Sequence, residues 1–134
     1  MNKKLLALTI VTLFSTNALA DASFQCIVDH VSGLHHDEIR DRWEHANFLL
    51  GERFTITEQR KDVYEVKNLG GGGNRSVICT ARADLGEDSF SCTSGTSQFH
   101  FNRKLLRFTS IRYFGYWNGS TDSLSVSIGQ CFEN

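Results

Sequence analysis

Four cysteines, Cys26, Cys79, Cys92 and Cys131, constrain this chain more than any other feature. Their meaning depends on compartment, because thiols stay reduced in the cytosol and pair outside it. The first twenty residues bear on that question. Met1-Asn2-Lys3-Lys4 is a short cationic start, and Leu5–Phe14 is an apolar run interrupted only by Thr9 and Thr12. Ala18-Leu19-Ala20 then gives the small-x-small pattern that signal peptidases cut. The expectation is a signal peptide over residues 1–20, with Asp21 as the new N-terminus. A spanning helix needs roughly 20 apolar residues, about twice this run, so no membrane anchor is expected. A lipoprotein signal would place a cysteine at the cut, where this chain has Asp21. The leader looks bacterial, and the expected location is periplasmic or secreted.

Cleavage leaves 114 of the 134 residues, enough for one domain over 21–134 and too few for two. All four cysteines survive it. An even number in a small exported domain implies two disulfides, with three possible connectivities. Geometry favours one of them. Folding the turn-rich Asp84-Leu85-Gly86-Glu87-Asp88 about Leu85 and Gly86 sets Cys79 opposite Cys92 on paired strands. Cys26 and Cys131 then join the first and last strands. That closure of about a hundred residues contributes about 4–5 kcal/mol in the chain-entropy estimate. The rival use of cysteine, a zinc site, normally needs a CxxC pair, and the chain has none.

The hydrophobic pattern is mostly of period two. In Ser23–Asp29 the residues Phe24, Cys26 and Val28 share one face. Arg53–Thr57, Asp62–Lys67, Ser76–Ala83, Ser89–Thr93, Gln98–Phe101 and the long run Lys104–Tyr116 also read as strands. Ser123–Ile128 alternates serine with Leu124, Val126 and Ile128, which predicts serines outward and aliphatics inward. One segment breaks the rule. From Asp37 to Leu50 the apolar Ile39, Trp43, Ala46 and Leu50 recur at helical spacing, with Asp37 as N-cap and Gly51 as stop. Glu38–Arg42 and Arg40–Glu44 would then be paired charges on its solvated face. Gly70–Gly73 reads as a loop, since glycines pack nothing and are costly to order. The fold class expected is therefore mainly β: an antiparallel barrel or sandwich of seven to eight strands, one N-terminal helix and two disulfides.

Phe24-x-Cys26, Gly51-Glu52-Arg53-Phe54-Thr55-Ile56 and Ile128-Gly129-Gln130-Cys131 together resemble a pattern in small exported proteobacterial proteins of unassigned function. That pattern has an early FxC, a central GxxFTV strand and a terminal GxC. In size and expected architecture the chain is also similar to the periplasmic lysozyme inhibitors, small disulfide-closed β-barrels. Their inhibitory loop carries a serine-glycine-x-arginine-tyrosine type motif. The nearest text here, Thr93-Ser94-Gly95-Thr96-Ser97, keeps Ser-Gly and lacks the arginine and tyrosine. This resemblance implies a protein partner, and no cofactor is expected.

Charge narrows the function classes. Lys3 and Lys4 leave with the signal, so 12 of 14 basic residues face 15 acids, about −3 with neutral histidines. A nucleic-acid binder is normally strongly basic, so that class is disfavoured. His30, His35, His36 and His45 cluster in sequence, and a metal could draw on His36, Asp37 or Asp41 with His45. No zinc spacing supports it, however, and a polar loop and solvated helix surface account for them. Gly70–Gly73 leads through Asn74-Arg75-Ser76 into a strand, without the helix a phosphate loop needs. No Gly-x-Ser-x-Gly motif is present, and no serine is tied by spacing to a histidine and an acid. The best candidate surface is Arg112, Tyr113, Tyr116 and Trp117. Arginine and aromatic side chains concentrate binding energy in interfaces, and adjacent Tyr116 and Trp117 on a strand cannot both enter one core. The expected function is a non-catalytic binding module, such as an inhibitor or envelope-protection factor, engaging an envelope or extracellular protein. The alternative is a small hydrolase or metal-dependent protein using the His30–His45 region.

Overall fold

The computed structural model describes residues 22–68, 76–113, 116, 119, 121 and 123–134. The signal-peptide reading of residues 1–20, the Gly70–Gly73 loop and Trp117 lie outside the described residues. Nine strands form a single antiparallel sheet: β1 (Ser23–Asp37), β2 (Arg42–Asn47), β3 (Arg53–Arg60), β4 (Val63–Asn68), β5 (Ser76–Ala81), β6 (Ser89–Ser94), β7 (Ser97–Asn102), β8 (Arg107–Arg112) and β9 (Leu124–Glu133). From β3 to β9 each strand pairs with the next, and β1 pairs with both β3 and β9. Eight strands therefore close into a barrel, and β2 lies outside the closure.

The two ends of β1 do different jobs. Residues 23–27 pair with β3, while 32–37 pair with β2, along the same edge. The opposite edge runs along β9 from Phe24 to Leu34, with a bulge between Val28 and His30. β1 and β2 thus form a hairpin arm that projects past the barrel rim.

This arm replaces the helix expected over Asp37–Leu50. Among the described residues there is no α-helix. Asp37 does accept hydrogen bonds from the Ile39 and Arg40 amides, at 2.9 and 3.1 Å. That is N-cap chemistry used in a tight turn, where Asp serves equally well. Asp41 then adopts φ +50°, which reverses the chain instead of continuing a helix. The Arg40–Glu44 pair forms at 3.4 Å across the turn. Ile39, expected on the buried helical face, is 96% exposed.

Both disulfides sit on cross-strand pairs. Cys26 is bonded to Cys131, directly opposite it on β9, and Cys79 on β5 is bonded to Cys92 on β6. Such bonds persist in oxidising, extracytoplasmic compartments. The inward orientation of Cys131 also overturns the reading of the last strand. With a side-chain period of two, an inward Cys131 carries Gly129 and Ser127 inward with it. Ser127 is buried, while Val126 and Ile128 are exposed on the outer face. Gly129 is required there, because a Cβ would stand 2.1 Å from the Ile27 carbonyl oxygen and 2.6 Å from the Phe108 ring.

The barrel interior falls into two halves. Toward the end that holds Ala22, Asn134, the Lys61-Asp62 turn and the Arg103–Leu106 turn, it is filled by Phe24, Ile56, Tyr64, Phe90 and Phe101. Tyr64 stacks on Phe90 at 4.3 Å, and Phe101 tilts against both Phe90 and Phe24. Toward the end that carries the arm, Phe54, Phe99 and Phe108 form a second aromatic cluster, with ring centroids 5.2–5.3 Å apart. Above that cluster the inward positions turn polar.

Candidate functional site

The features that could recognise another molecule gather at the arm-bearing end. β1 and β2 place His36 and Trp43 directly opposite one another, which brings their rings within 5.6 Å. Trp43 in turn meets Tyr116 edge-on at 5.6 Å. Tyr116 comes from the β8–β9 connection and is 69% exposed. The row His36–Trp43–Tyr116 therefore runs from a mostly buried imidazole to an open phenol. Edge-to-face pairs of this kind contribute about 0.5–1.5 kcal/mol each beyond area burial, enough to hold an exposed aromatic in place. Asp37, Arg40, Arg42 and Glu44 ring the arm in one ion-pair network. The backbone amides of the turn hold the Asp37 carboxyl below the usual carboxylate range, the Arg40 amide most of all.

Of the four residues expected to make a partner surface, the structure gives three a position. Tyr116 is open. Tyr113 is half-buried, its amide bonded to the Thr96 carbonyl at 3.0 Å. Arg112 ends β8 at the barrel mouth and pairs with Glu52, which precedes β3. Trp117 lies outside the described residues. Trp43 and His36 were missed as contact residues because the helical reading turned Trp43 toward a core. The signal that could have found them is the alternation Trp43–His45 facing Leu34–His36 across a four-residue turn.

The histidines do not converge. His36 Nε2 lies 3.3 Å from Asp41 Oδ1, whereas His45 Nε2 lies 3.0 Å from the Ser32 hydroxyl. Adjacent His35 and His36 diverge, as strand neighbours must. Their Nδ1 atoms are buried without a hydrogen-bond partner among the described residues. No three His, Cys, Asp or Glu side chains among the described residues come together as a metal site. Ser32–His45 has the contact of a nucleophile and its base, but the described residues offer no third group that would orient His45.

Below the rim a cavity of about 110 Å³ opens into the barrel. Its walls include Phe54, Val66, Val77 and Phe99, with Ser94, Ser97, Ser110 and Arg112 among the polar groups. At the opposite end a second hollow of about 330 Å³ runs over Leu85, Ser89, His100, Arg107 and Thr109, past the edges of Phe90, Phe101 and Phe108. There the Tyr64 hydroxyl accepts a hydrogen bond from Arg103 Nη1 at 3.1 Å, and Arg103 reaches Asp88 at 3.6 Å. Burial raises the Tyr64 phenol above its ordinary value, partly offset by the Arg103 charge. The acidic stretch Asp84–Asp88 belongs to this closed end, where Asp84 is bound by Arg82.

Compared with protein-family models, with curated proteins and with solved structures, the chain matches none of them.

Proposed function

We propose that this protein is an exported, non-catalytic binding module that engages an envelope or extracellular protein through the β1–β2 arm and Tyr116. The row His36–Trp43–Tyr116 carries this reading. An exposed aromatic braced by two half-buried rings, inside a ring of charges, has the composition of an interface anchor and its polar rim. Export rests on the leader at residues 1–20 and agrees with the two disulfides. The likeness to periplasmic lysozyme inhibitors makes lysozymes the first partners to try. In support, Ser94-Gly95-Thr96-Ser97 forms the β6–β7 turn at this same end, with Gly95 at φ +55°.

The test uses tagged residues 21–134 beside Tyr116→Ala and Trp43→Ala, first with purified lysozymes and then with envelope extract. A protein recovered stoichiometrically by the wild type is purified and its affinity for all three forms is measured. The reading expects at least a tenfold loss in both variants, with folding retained. Equal affinity of all three would remove the arm as the contact.

A small hydrolase is the second reading, and the Ser32–His45 contact is what favours it. It predicts that a fluorophosphonate probe labels Ser32 and that His45→Ala abolishes the labelling. An unlabelled Ser32 would end it.

A further inference from the structure

The cavity at the arm-bearing end has a chemistry of its own, separate from the arm. Inward positions of a small barrel are ordinarily filled by apolar side chains. In the upper half of this one, Ser94, Ser97 and Ser110 stand at inward positions instead, on β6, β7 and β8. Ser110 is 9% exposed, and its side chain lines the cavity with no side-chain hydrogen bond among the described residues. The floor and walls are apolar: Phe54, Val66, Val77 and Phe99. One side of the space thus offers hydroxyls and the other offers aliphatic and aromatic surface.

Charge decides which ligands suit it. The one cation lining the cavity among the described residues, Arg112, is already paired with Glu52 across the mouth. Among the described residues the entrance therefore has no net charge, and an anion would have to displace the Glu52 carboxylate. An apolar cavity of ~150 Å³ accepts benzene, so about 110 Å³ has room for a slightly smaller body. We infer that this cavity binds a small uncharged amphiphile, an aliphatic alcohol of roughly four to five non-hydrogen atoms by that comparison. Its apolar body lies on Phe54 and Phe99 and its hydroxyl meets the serine side. Such a ligand would complete the hydrogen bond that Ser110 lacks.

The experiment is a pair of matched titrations followed by ¹⁵N-resolved NMR on residues 21–134. 1-Butanol and 1-propanol serve as the uncharged probes, with propionate and acetate as anions of matching size. The uncharged probes should shift the amides of β3, β4, β7 and β8 around the cavity saturably, and the anions should bind at least tenfold more weakly. Ser110→Leu fills the space and should abolish the shifts. Glu52→Gln leaves the core untouched and unpairs Arg112, so its preference should move toward the carboxylates by tenfold or more. Three results would overturn the inference. These are an absence of saturable shifts in the folded wild type, equal binding of alcohols and anions, and an unchanged preference in Glu52→Gln. Shifts confined to the outer barrel face would count as the first of these.

Discussion

The two ends of the barrel are built around the same device and put it to opposite use. At each end an arginine reaches an oxygen on another part of the rim. Arg103 donates to the Tyr64 hydroxyl and pairs with Asp88, whereas Arg112 pairs with Glu52. Beneath Arg103 lie Phe24, Tyr64, Phe90 and Phe101, packed ring against ring. Beneath Arg112 lie serines and an opening. The closed end thus carries stability, since aromatic burial dominates core energetics. The open end gives up part of that burial, and the arm, Tyr116 and the cavity are all found there. Recognition sites commonly take this form, with loops and imperfectly filled space held on a rigid scaffold.

The comparison breaks most readily at the covalent closure. Replacing Cys26 and Cys131 by serine should cost about 4–5 kcal/mol, against about 3 for Cys79 and Cys92, because the spans are 105 and 13 residues. Denaturant melts of the two double variants would measure the gap, and equal losses would mean that loop length does not set it. Next in size, Phe101→Ala at the closed end should destabilise by about 3–5 kcal/mol. Ser110→Ala at the open end should change nothing or add about 1 kcal/mol, since it removes a hydroxyl without a protein partner. A loss above that amount from Ser110→Ala would show that the open half is as tightly specified as the closed one.

Tyr64 sharpens the contrast through pH. Its phenol is raised in the folded state, chiefly by burial, so the unfolded chain loses this proton first. Stability from this group is complete below its ordinary value near 10 and falls as pH rises beyond it. Tyr64→Phe should cost about 1 kcal/mol at neutral pH through the lost Arg103 bond and should flatten the alkaline decline. A decline of the same steepness in the variant would assign it to other groups. Tyr116→Ala should cost about 0.5–1.5 kcal/mol, the worth of its edge contact with Trp43. Thermal melts would check it, and a large loss would make Tyr116 a structural residue rather than a contact.

The errors made in reading the sequence share one cause. Asp37–Leu50 has apolar residues at helical spacing, yet the segment is a turn and a strand. Its Asp37 bonds the two amides that follow in either conformation, so local capping chemistry does not choose between them. Pairing with the second half of β1 chooses. In Ser123–Ile128 the alternation itself was correct and its phase was inverted. Serine faces inward because Cys131, four residues beyond Ser127, must meet Cys26. That phase was readable from the cysteine, had parity been counted back along the strand. The pair Glu52–Arg112 spans 60 residues, and no local pattern could have joined them.

What the sequence determined by itself was the seven strands from β3 to β9, the inward face Phe24–Cys26–Val28 and the opposition of Cys79 to Cys92 about Leu85 and Gly86. Each follows from a two-residue period or a turn, which are local properties of the backbone. The tertiary structure alone decided that the sheet closes on itself through β1 and β9, that β2 stands outside, and which end holds the cavity beneath Arg112. Closure depends on one strand sharing its edge between two partners, and a packed end depends on rings that meet only after distant strands have paired. Those contacts are energies between residues far apart in sequence, and local patterning carries no record of them.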